Sequence, residues 1–166
     1  MINKINKLSQ SEFTKVFANI FENASWIAED AYNKKPFEDF ADLSQKMFNI
    51  FANTTKEKQL KILRAHPDLA DRTKIGLLTP ESKKEQSNAG LDQCSEQEFK
   101  EFKDLNDKYK KKFGFPFIYA VKGKSKIEIL SNFKQRLSYD INVEFNEAKK
   151  QVKKIASLRL NEINKK

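Results

Sequence analysis

The chain has 166 residues and a net charge of +9, from 32 basic and 23 acidic side chains, with 39% apolar and 33% charged residues. That length suffices for one core without a disulfide or structural metal, and fourteen Phe offset the low apolar share. One cysteine, Cys94, excludes an intrachain disulfide framework and any thiolate-rich metal site, and no apolar run of about 18 residues is present to span a membrane.

The opening residues MINKINKLSQSEFTKVF contain no apolar h-region, so the chain is expected in the cytoplasm, and a single cysteine suits a reducing compartment. Residues 9–22 read as a helix that starts at a capping box, Ser9 with Glu12, and carries Phe13, Val16, Phe17, Ile20 and Phe21 on one stripe. Residues 25–33 form a second helical stretch, with Trp26 and Ile27 inward, stopped by Pro36. Residues 37–53 repeat the spacing through Phe40, Leu43, Met47, Phe48 and Ile50, and another helix begins after Thr54 or Thr55 and runs to Arg64.

His66-Pro67 interrupts that helix, because the residue before proline is pushed out of the right-handed helical region. Pro67-Asp68-Leu69-Ala70 is expected to start the next helix, which Gly76 breaks. Thr79 as N-cap with Pro80 at the first position opens a helix carrying Ser82, Glu85, Gln86 and Ala89, ended by Gly90. The most regular helix covers residues 95–113, with Phe99, Phe102, Leu105, Asn106 and Tyr109 along one face. Gly114-Phe115-Pro116-Phe117 stops it, and residues 118–121 are either a short extended piece or an irregular loop. Ser125 caps a helix to about Leu137, and a last helix covers roughly residues 143–163. No sustained period-2 pattern and no internal repeat appear, so the expected fold is all-α, a single compact multi-helix domain over residues 1–166.

The positive charge favours an anionic partner, which nucleic acid, an acidic membrane surface or a small carboxylate would each supply. Lys111, Lys112, Lys149, Lys150, Lys153 and Lys154, however, recur beside apolar residues at helical spacing, as solvated helix faces do. Neither nucleic acid nor membrane is expected as a partner.

His66 is the sole histidine, and therefore the sole side chain whose ordinary pKa lies between about 5 and 8. A lone histidine is often incidental, but a proline-forced joint can aim it into a cleft. One histidine without a surrounding carboxylate cluster provides too few ligands for a metal. Ser82 and Glu85 share a helix face, Ser82 also being readable as a local cap and Glu85 as a favourable charge near a helix start. The uncharged stretch from Gly114 to Ile118 is either a core-packed loop or an apolar pocket wall offering main-chain polar groups. Arg159 sits between Leu158 and Leu160 where the neighbouring basic residues are lysines, which suits a two-pronged carboxylate contact or an ordinary helix surface. No Walker loop, dinucleotide fingerprint, HExxH or nucleophile elbow is present.

Separated blocks then carry a resemblance: residues 63–70 (LRAHPDLA), 78–82 (LTPES), 85–91 (EQSNAGL), 109–118 (YKKKFGFPFI) and 155–160 (IASLRL). In this order they resemble the 2-oxo-4-hydroxy-4-carboxy-5-ureidoimidazoline (OHCU) decarboxylases over nearly the whole chain. The resemblance implies an all-helical homodimer that needs no metal and no organic cofactor and converts OHCU, a product of urate oxidation, to (S)-allantoin and CO2. It implies His66 and Glu85 as catalytic residues. Pro67, Ser82, Glu85, Phe117, Ile118 and Arg159 are implied to contact the ureidoimidazoline carboxylate substrate. It also implies the stand-alone enzyme rather than a fusion to a transthyretin-like hydrolase.

Overall fold

Polar residues that satisfy the first free N–H groups set most helix starts. A computed structural model of the chain describes residues 1–71 and 76–166. Among these the helices are α1 (Ile2–Lys7), α2 (Gln10–Phe17), α3 (Ser25–Tyr32), α4 (Phe40–Asn53), α5 (Lys56–Ala65), α6 (Pro80–Asn88), α7 (Glu96–Phe113), α8 (Lys126–Leu137) and α9 (Ile141–Asn164). No strand occurs among the described residues, and the fold is all-α as expected. Reciprocal capping boxes begin α2 (Ser9, Glu12), α7 (Ser95, Glu98) and α8 (Ser125, Glu128).

Burial follows the apolar period at most positions even where the helix does not, although Val16 of the expected stripe is 45% exposed. The helix expected over residues 9–22 ends at Phe17 and gives way to turns that pass through Asn23 at φ 48°, yet Ile20 and Phe21 remain in the core. The helix expected from Phe37 starts at Phe40, capped by Asp39, whose side chain accepts from the Asp42 N–H. Phe37 is buried all the same, its N–H and carbonyl both held by the Asn6 side chain at 2.9 and 2.8 Å. Trp26, expected inward, is half-buried, with the Lys58 ammonium 4.8 Å from its ring. The short α1 had no sequence expectation at all.

The chain divides into two units, residues 1–62 with 153–166 and residues 63–152. The first unit is built on Phe13, whose ring lies 4.6 Å from Phe17 and 5.8 Å from Phe37, with Phe21 and Phe51 5.2 Å apart. Gln59 donates to the Phe51 and Ala52 carbonyls and closes the end of α4. The second unit gathers its aromatics around Tyr109, with Phe113, Phe115, Phe117 and Phe133 all within 6 Å of its ring. Helix α9 contributes to both, through Ala148 and Val152 to the second and through Ile155, Ala156 and Leu160 to the first. Its lysines lie over aromatic faces, Lys149 on Phe145 and Lys153 on Phe48, with stems along apolar surface.

Candidate active site

Helix α5 ends at Ala65, and Pro67 forces the end: the His66 N–H reaches back to the Leu63 carbonyl, three residues away, at 3.2 Å. His66 is 8% exposed. The helix expected from Pro67 is absent through Ala70, and its continuation over residues 72–75 lies outside the described residues. The reason is visible in the hydrogen bonding, because side chains rather than helical neighbours satisfy this backbone. Gln86 of α6 donates to the Asp68 carbonyl at 3.3 Å and accepts from the Ala70 N–H at 3.0 Å. Asn106 of α7 donates to the Leu69 carbonyl at 3.0 Å, and Lys110 pairs with the Asp68 carboxylate at 2.6 Å. Ala70 takes φ 55°, a left-handed conformation that costs a residue with a Cβ about 1 kcal/mol. Pro67 is half-buried at the start of this turn.

Helix α6 starts as its sequence dictates, with the Thr79 hydroxyl accepting the Ser82 N–H at 3.2 Å and Pro80 at the first position. Thr79 therefore performs the capping that might have been assigned to Ser82, whose side chain is buried in the helix face. Gln86, four residues on, is buried on the same face, and Glu85 beside it is half-buried. The helix that carries Ser82 and Glu85 is thus hydrogen-bonded through Gln86 to the turn that follows His66.

Gly114 ends α7 in the left-handed region at φ 77°, and its carbonyl accepts from Arg64 Nε at 3.1 Å, two residues before His66. Residues 118–121 form an irregular loop rather than a strand. The Phe117 ring lies between Phe133, stacked at 3.9 Å and 8°, and the Arg136 guanidinium, 4.5 Å away. That ring belongs to the core. Arg136 Nη1 donates to the Ile118 carbonyl at 2.5 Å, while its Nε and Nη2 pair with Glu144, which also accepts the Tyr109 hydroxyl. Burial, and then Glu144, push the Tyr109 phenol well above its ordinary value, so it stays a donor. Nothing in the sequence pattern singled out this buried group. Two helix residues, Arg136 and Glu144, sitting in otherwise apolar stripes were its available signal.

Arg159 lies in the first unit, buried on α9. Its Nη1 donates to the Asn19 carbonyl at 2.8 Å and to Glu22 at 3.0 Å. It is therefore not a surface residue. Glu22, also buried, escaped the sequence reading because it sits in the turn beyond α2. Of the six sequence-assigned positions outside α9, His66, Pro67, Ser82, Glu85, Phe117 and Ile118 all fall in the second unit. A cleft of about 510 Å³ opens beside the His66 turn, lined by Asp68, Ala70, Phe99, Asn106 and Lys110 among others, and not by His66 or Glu85. Among the described residues no cluster of three or more His, Cys, Asp or Glu is placed to hold a metal ion, and no helix is long and apolar enough to cross a membrane.

The described residues thus form a helical protein with a buried histidine at a proline joint, tied through Gln86 to the helix that bears Ser82 and Glu85. A family model described as OHCU decarboxylase matches residues 6–161, and the chain belongs to that family. It is 37% identical over 162 residues to the OHCU decarboxylase of Halalkalicoccus jeotgali, covering 98% of this chain and 90% of that one. It is 41% identical over 162 residues to the uric acid degradation bifunctional protein of Bacillus sp. (strain TB-90), of which it spans only 32% of the length. Among solved structures, an OHCU decarboxylase crystallised in the presence of (S)-allantoin superposes with a TM-score of 0.73 at 25% identity, over 96% of this chain and all of that one. An (S)-allantoin synthase superposes with a TM-score of 0.79 at 26% identity, over 98% of this chain and 53% of that one.

Proposed function

We propose that this chain decarboxylates OHCU to (S)-allantoin and CO2, with no metal and no organic cofactor. The observation that carries the reading is the buried His66, held at a proline-forced turn that Gln86 ties to the helix of Ser82 and Glu85. The substrate places a hydroxyl and a carboxylate on one ring carbon, next to a carbon doubly bonded to nitrogen. When the bond to the carboxylate breaks, its electron pair moves between the two ring carbons and the C=N pair moves to nitrogen, which takes a proton. The hydroxyl proton then leaves, forming the ring carbonyl, and the carbon bearing the ureido group takes a proton. The ring is its own electron sink.

His66 in its neutral form accepts the hydroxyl proton, the role an imidazole performs well near neutral pH. Glu85 orients that imidazole or binds ring and ureido N–H groups. Arg159, a planar donor fork, grips an anionic or carbonyl-rich part of the substrate. Pro67 shapes the turn behind the histidine, and Ser82 provides a polar contact. Ile118 with the main chain at Phe117 forms the wall against the substrate ring, the Phe117 side chain backing that wall from the core. Protonation from one face fixes the (S) configuration. The chain works as a single domain over residues 1–166, in a cytoplasmic homodimer.

Circular dichroism of substrate generated in place from urate by its oxidase and hydrolase tests the reading. Rapid optical activity of (S)-allantoin that depends on this protein and vanishes in His66→Asn supports it. Slow, racemic product at every concentration of folded protein would falsify it.

A further inference from the structure

Arg136 and Glu144 are 1% and 0% exposed, and they pair inside the second unit beneath the segment that runs from Gly114 to Ile118. A buried ion pair costs several kcal/mol of desolvation per ion and often only breaks even against apolar side chains of the same size. Net stability is thus a weak reason for this one. What an apolar replacement could not provide is aim. All three guanidinium nitrogens are used: Nε and Nη2 on Glu144, and Nη1 on the Ile118 carbonyl. The guanidinium plane also lies over the Phe117 ring, whose other face stacks on Phe133. Glu144 is held in turn by the Tyr109 hydroxyl from α7. One side chain on α8 therefore sets both the main chain of Ile118 and the ring of Phe117, with its own orientation fixed from α9 and α7.

We propose that Arg136, oriented by Glu144, is a positioning residue for substrate binding: it holds the Phe117–Ile118 wall in register for the substrate ring. This rests on the reading of that wall as part of the OHCU site. Arg136 acts through the loop and touches no reacting atom.

Arg136→Lys keeps the positive charge and loses the fork that reaches Glu144 and Ile118 together. In this variant KM for OHCU rises about tenfold while kcat stays within about twofold, since a loosened wall weakens binding more than chemistry. Amide hydrogen exchange accelerates at Phe115, Phe117, Ile118 and Tyr119, and elsewhere in the chain keeps the wild-type pattern. Arg136→Met with Glu144→Leu, an apolar pair that leaves no buried charge and releases the Ile118 carbonyl, shifts both readouts in the same direction and serves if the lysine variant does not fold. A folded variant with wild-type KM and wild-type loop exchange overturns the inference. So does exchange that accelerates throughout residues 63–152 with kcat reduced and KM unchanged, which marks a merely structural role. If the wild-type protein fails to decarboxylate OHCU, the proposed function falls, while the exchange comparison still decides whether Arg136 holds this loop.

Discussion

Arg159 and Glu22, 137 positions apart in the chain, form a buried ion pair, with Arg159 Nη1 3.0 Å from Glu22 Oε2. With both side chains removed from water, the carboxylate fixes the orientation of the guanidinium. Replacing one member leaves the other charge buried, which is costly, whereas replacing both with apolar groups is not. Glu22→Gln is expected to lower the free energy of unfolding by roughly 3 kcal/mol and to weaken substrate binding. Glu22→Leu with Arg159→Met is expected to recover most of that stability and to remain inactive. Urea titration beside steady-state kinetics separates the two effects.

His66→Asn is expected to reduce kcat by about 10²- to 10⁴-fold, the usual contribution of a positioned proton-transfer group. Glu85→Gln, which weakens a contact to the imidazole or to substrate N–H groups, is expected to reduce kcat/KM by about tenfold or more. Both substitutions keep a polar side chain of similar size, so far-ultraviolet circular dichroism and the thermal midpoint stay near wild type. The polarimetric assay decides: a Glu85→Gln enzyme with full activity would remove Glu85 from the site.

Gln86 bonds the Asp68 carbonyl and the Ala70 N–H with one side-chain amide. Gln86→Ala is expected to destabilise the protein by about 2 kcal/mol, since two buried main-chain groups lose their partner. It also lowers kcat, because the turn that aims His66 loses one of its anchors. A variant that loses stability and keeps kcat would show that Asn106 and Lys110 hold the turn without it.

Gly114→Ala isolates a backbone effect. A Cβ there meets nothing within 4 Å, so the substitution is penalised only by φ 77°. The expected loss is about 1 kcal/mol, measured by urea unfolding. Ala70→Gly reverses the logic at φ 55° and is expected to be neutral or slightly stabilising.

Acid weakens the helix starts. Glu12 lies below its ordinary pKa of 4.5, chiefly through the Ser9 side chain, and Glu98 and Glu128 do so chiefly through the N–H groups of Ser95 and Ser125. Depressed carboxylates contribute stability that is present above the ordinary value and lost as pH falls through the lowered folded one. The urea midpoint is therefore expected to fall as pH drops below about 4.5, and Ser9→Ala, which removes the hydroxyl that chiefly lowers Glu12, is expected to flatten that dependence.

Local chemistry made the helix starts legible. Ser9, Thr79, Ser95 and Ser125 cap helices because their partners lie three residues away, within reach of any sequence reading. The joint at His66-Pro67 was equally plain, since proline acts on its immediate neighbour. Apolar spacing found Ile20, Phe21 and Phe37 in the core and overstated the helices around them, because periodicity reports burial and not hydrogen bonding.

The turn after Pro67 was misread as helix for the opposite reason. Its carbonyls and N–H groups are satisfied by Gln86 and Asn106, 16 to 37 positions away, and no local rule contains those partners. By itself the sequence determined the helical class, the helix starts capped by Ser9, Thr79 and Ser125, and the residue types that resemble a decarboxylase. Tertiary structure alone decided that Arg159 meets Glu22, that Arg136 and Glu144 aim the Ile118 carbonyl, and that Phe117 turns its ring to the core. Capping and proline effects act within about one helical turn, whereas the orientation of a buried charge depends on which distant group folding brings to it.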